Sequence, residues 1–107
     1  MKHRFNWVFE ILRSEFFNAE AVYARGSNPG KDRGELLDRV RRIAATARSH
    51  KADFPGEPQY ALFLDDAVET LDHFLREAAD REDLEPLLRE TRQRLATVED
   101  DVRLRLK

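Results

Sequence analysis

Apolar residues in this chain recur at alternating spacings of three and four, along four long stretches broken by few glycines or prolines. That spacing marks one face of an α-helix, which turns once per about 3.6 residues. In the first stretch, roughly residues 4–25, the stripe is Phe5, Val8, Leu12, Phe16, Ala19 and Tyr23. "GSNPGKDRG", residues 26–34, holds three of the four glycines and ends it. Asp32 and Glu35 stand three apart, the spacing of a capping box, and predict the start of a second helix. Leu36, Val40, Ile43 and Ala47 carry its stripe to about residue 52.

"FPGEP", residues 54–58, is the second breaker, and Pro58 suits a first helical turn. A third helix is expected to about Ala79, with Tyr60, Phe63, Leu64, Ala67, Val68, Leu71, Phe74, Leu75 and Ala78 inward. Near "DREDLEP" the register restarts, with Asp83 as a cap and Pro86 in the tolerated first turn. The last stretch shows Leu84, Leu88, Thr91, Leu95, Val98, Val102 and Leu106. No alternating strand pattern competes. The expected fold is all-α, an antiparallel bundle of four amphipathic helices in one domain spanning residues 1–107. The alternative is a three-helix core with the last helix projecting as a coiled-coil arm, because its stripe is the narrowest.

Composition narrows the function. The chain has no cysteine, which excludes disulfides, thiol nucleophiles and cysteine zinc sites. Glu10 interrupts the apolar run of "MKHRFNWVFEIL", so that start reads as helix and not as a signal peptide. No stretch reaches the roughly 18 apolar residues of a membrane span. A soluble, cytoplasmic protein is expected. The net charge of −2 hides an asymmetry: residues 1–52 carry +5 and residues 53–107 carry −7. Such halves can neutralise each other, associate head to tail, or offer a basic face to an acidic partner.

The stretch "LFLDDAVETLDHFLRE", residues 62–77, carries the most enzyme-like signal. Asp66, Glu69 and His73 share one helix face at metal-compatible spacing. They lie on the side away from the apolar arc, so the expectation is a hydrated Glu69–His73 pair and no metal site. "ELLD" (Glu35, Asp38) and "ETLD" (Glu69, Asp72) are paired acids of the general kind with which all-α nucleotide pyrophosphohydrolases gather magnesium, short of a family resemblance. Those acids must point inward for hydrolysis, whereas Glu69 and Asp72 lie away from the apolar arc and Glu35 and Asp38 sit at the start of their helix. "GSNPGKD" lacks the spacing, the hydroxyl residue and the preceding strand of a phosphate loop. His3, His50 and His73 lie on separate segments, without zinc spacing. No catalytic residue and no cofactor are expected.

Two surfaces remain. The first helix holds six of the ten aromatics, and Trp7 and Phe17 fall off its core arc on opposite shoulders. Exposed aromatics anchor protein interfaces. Glu15 falls inside that arc and, if buried, needs an arginine from the second helix. "RVRRIAATARSHK", residues 39–51, has five basic residues and no acid. Arg41 and Arg48 share one shoulder, Arg39 and Arg42 the other, with Lys51 at the end. This face can steer an acidic partner or hold phosphates, or it can be neutralised by the acidic third helix. The expected function is a non-enzymatic protein–protein interaction module working by occlusion or bridging. Adaptors, antitoxin-like neutralisers and inhibitors of larger machines, phage- or bacterium-encoded ones among them, share this build. Its partner is expected to be another protein: a second copy in a homodimer, or a larger acidic or nucleoprotein complex. The alternatives are nucleic-acid binding through the second helix and, third, metal-dependent nucleotide hydrolysis.

Overall fold

The computed structural model describes residues 2–26, 29–53 and 58–105, with side chains at 2–7, 29, 53, 58–59, 103 and 105 not described. Four helices run in chain order: α1 (Lys2–Arg25), α2 (Pro29–His50), α3 (Pro58–Ala78) and α4 (Glu85–Arg105), with a short 3₁₀ turn at Lys51–Asp53 after α2. Each packs on its sequence neighbour, and α4 also packs back on α1. The result is an antiparallel four-helix bundle 44 Å long and 21–22 Å across. The projecting-arm alternative is overturned, because α4 has neighbours on both sides: Val102 is fully buried near its C-terminal end, and Leu95 and Leu88 lie in the core.

The core is the predicted stripe, extended by a few residues. Phe16, Phe74, Leu12, Leu36, Leu64 and Leu71 are its largest fully buried side chains. Phe16 and Phe74 meet edge to face across the bundle, ring centroids 6.0 Å apart at 88°. Each such side chain contributes about 1.5–3 kcal/mol by leaving water. Val68, Leu75 and Val98 are only partly buried, at the margins of the core. Phe5 and Leu106 lie outside the described side chains.

Helix α2 starts earlier than the Asp32–Glu35 spacing predicts. It begins at Pro29, whose fixed φ suits a first helical position and whose missing N–H would have had no partner there. Asp32 therefore lies within the first turn, where its charge favours the helix dipole. Its carboxylate also fills the space beside Gly26, so that a Cβ at residue 26 would collide with it. Gly26 closes α1 by donating its N–H to the Tyr23 carbonyl at 3.2 Å.

The other ends are tied down individually. Arg33, from the first turns of α2, donates to the Ala78 carbonyl at the end of α3 and to the Glu82 carbonyl at 3.4 Å. These carbonyls have no partner within a helix, and a cation suits the negative end of the α3 dipole. Asp83 accepts the Glu85 N–H at 3.1 Å, as expected of a cap for α4. No helix among the described residues is long and apolar enough to cross a membrane.

Candidate functional site: the groove between α1 and α4

The basic stretch of α2 is largely answered from within the molecule. Arg48 binds Asp72 at 2.7 Å and Lys51 binds Asp65 at 2.8 Å, both across to α3. Arg41 binds Asp38 at 2.8 Å, one turn away on its own helix. The acids of α3 that sequence reading sets on one face are thus drawn to different partners. Glu69 pairs with Arg76 at 2.8 Å, two turns on, and not with His73 as the spacing predicted. The longer, forked guanidinium reaches a carboxylate that the short imidazole does not take. Asp66 stands by an open hollow shared with Arg94 and Thr97 of α4. Glu35 is exposed on α2. Among the described residues no three acids or histidines stand close enough to hold a metal ion.

Arg39 and Arg42 occupy the other shoulder of α2, as expected. With Glu15, Asn18, Ile43 and Thr46 they line an open groove of about 410 Å³ between α1 and α2. Glu15 is exposed there and has no ion-pair partner among the described residues, so its place in the apolar arc marks where that arc meets water. Arg42 donates a long bond, 3.5 Å, to the Asp38 carbonyl.

The opposite seam, between α1 and α4, is built differently. Phe17 is 60% exposed, off the core arc as its position predicts. Trp7, its expected counterpart, lies outside the described side chains. Phe17 sits between two open hollows. One, of about 490 Å³, is bounded by Tyr23, Ala24, Leu88 and Arg89. The other, of about 390 Å³, is bounded by Arg13, Gln93, Leu95 and Ala96. Both touch Glu20 and Arg92.

Two cross-helix ion pairs bracket Phe17. Toward the C-terminal end of α1, Arg92 binds Glu20 at 3.1 Å; toward the N-terminal end, Arg13 binds Glu99 at 3.0 Å. In both pairs the acid is the sheltered member: the Glu20 side chain is 13% exposed and that of Glu99 6%, against about half for each arginine. Arg92 satisfies only one Glu20 oxygen. The other, Oε1, is shut off from solvent and has no hydrogen-bond partner among the described residues. Burial holds the Glu20 carboxyl above its ordinary value of 4.5, with the Arg92 charge pulling the opposite way.

An exposed phenyl ring between two open hollows, at the seam of the bundle, can receive an apolar side chain. Sequence reading found Phe17 from its position. It missed Glu20, Glu99 and Arg92, because spacing along one helix does not say which residues of another helix lie beside it. No protein-family model, no curated protein and no solved structure matches this chain.

Proposed function

We propose that this chain is a non-enzymatic protein-interaction module, acting by occlusion or bridging, whose contact surface is the α1–α4 face centred on Phe17. The observation that carries this reading is the combination at that seam: a phenyl ring 60% exposed between two hollows lined by Tyr23, Leu88, Leu95 and Ala96. An exposed aromatic flanked by partly filled hollows has the character of a binding hot spot. The ion pairs at the margin would set register more than affinity.

A photoreactive amino acid placed at Gln93, on the rim of this face, tests the reading in the native host. A control carries it at Asp65, on the far side of the bundle. Discrete protein adducts from position 93 and none from position 65 are expected. Adducts from both positions alike, or from neither, would overturn it.

Nucleic-acid binding through α2 is the second reading, and Arg39 and Arg42 are what favour it. Arg41, Arg48 and Lys51 are held by acids. Glu15 stands in the same groove as the two remaining arginines and would repel a phosphate. The α1–α4 face is therefore preferred.

A further inference from the structure

We propose that the occupant of the α1–α4 groove is a second copy of this chain, joined across a two-fold axis close to Phe17. This rests on that face being the contact surface and names what covers it.

An isologous contact requires one patch to carry both the projection and the recess that receives it. The α1–α4 face does so. Phe17 projects, and the hollow beside Tyr23 and Leu88 is, at about 490 Å³, roomy enough for a phenyl ring. Phe17 also lies between the two cross-helix pairs, Glu20–Arg92 and Arg13–Glu99, and so near mid-length of the seam. A two-fold axis at that level overlays the face on its copy along most of its length. The face follows a bundle 44 Å long and 21–22 Å wide, enough to cover the roughly 800 Å² per partner that a specific interface takes.

Charge points the same way. Arg13, Arg89 and Arg92 are each matched on this face by an acid: Glu99, Glu85 and Glu20. The face is electrically balanced, with signs alternating along it. A strongly basic or acidic partner gains little steering from such a surface, whereas an inverted copy meets it without net repulsion.

Sedimentation velocity over a concentration series tests this on the full chain. Wild type is expected to run as a reversible dimer. Phe17→Glu is expected to raise the dimer Kd about 30-fold or more, the scale of an interface hot spot, while keeping the helical circular dichroism of the folded chain because the ring is exposed. Leu62→Glu serves as control: Leu62 is 65% exposed, but on α3, and the variant is expected to dimerise like wild type. A monomeric wild type, a dimeric Phe17→Glu variant, or equal loss of dimer in both variants would overturn the proposal. A monomeric wild type that still gives heterologous adducts from position 93 would reject the second copy and leave the contact face standing. Absence of both dimer and adducts would end both.

Discussion

Arg48 donates to Asp72 across 2.7 Å, and this contact sets the first basic helix face against the acidic helix that follows it in sequence. The opposite charges of the two halves of the chain are therefore spent partly on each other. The consequence for function is that α2 presents fewer available cations than its sequence suggests. Labelled DNA and RNA titrated at low salt are expected to show no saturable binding. Saturable binding that vanishes in an Arg39→Ala, Arg42→Ala double variant would reinstate the nucleic-acid reading.

The same ion pairs are expected to matter little for stability. The side chains of Arg48 and Lys51 are about half exposed, so water and salt screen both contacts. Arg48→Ala and Lys51→Ala should each cost less than about 1 kcal/mol in urea unfolding, and less still at high salt. A larger loss would mean that these pairs hold α2 to α3 in a way their exposure does not suggest.

Stability instead resides in the apolar contacts at the bundle centre. Phe74 is fully buried and meets Phe16 edge to face. Phe74→Ala removes the ring, its buried area and the aromatic contact at once. It is expected to cost about 3–5 kcal/mol, a large share of the stability of a domain this size. Phe74→Leu should cost clearly less, because it keeps most of the volume. Chemical denaturation of the two variants checks the order.

That core was legible because helical periodicity depends on each helix alone. Val8, Leu12, Phe16 and Ala19 were assigned inward from spacing and are buried. What spacing could not supply is the identity of neighbours. Glu99 is 5% exposed, yet a reading that sends charges outward leaves it on the surface. It pairs there with Arg13, a residue of α1 that the spacing along α4 does not reveal. Glu20 escaped for the same reason. Two signals compete at the start of α2: the Asp32–Glu35 spacing makes residue 33 the first helical position, and the conformational restriction of Pro29 sets it four residues earlier. Glu69 was matched with His73 by distance along the helix, whereas side-chain reach gave it to Arg76.

The pair Arg13–Glu99 makes an asymmetric prediction. Arg13→Ala takes one partner from a nearly buried carboxylate and should cost about 1–3 kcal/mol, the scale of removing a charged donor from a sheltered acceptor. Replacing both partners by apolar residues, Arg13→Met with Glu99→Leu, should restore most of that loss, because neither charge then needs solvating. Thermal melts of the single and double variants decide. A double variant less stable than Arg13→Ala would show that Glu99 contributes more through its other contacts than through Arg13.

Glu20 should make stability depend on pH in a direction opposite to that of an ordinary ion-paired carboxylate. Burial raises its affinity for a proton in the folded state above that in the unfolded chain, despite Arg92 at 3.1 Å. Where the folded state binds the proton more tightly, stability falls as pH rises. The loss sets in as pH climbs past 4.5, the ordinary value, and is complete once pH exceeds the raised folded value. Glu20→Gln cannot titrate and lacks this dependence. Urea unfolding of both proteins, from pH 4.5 to neutrality, should show wild type losing stability relative to the variant with each step upward. A gap that stays constant would mean that Glu20 remains as solvated as in the unfolded chain. One that moves in favour of wild type would mean that Arg92 outweighs burial.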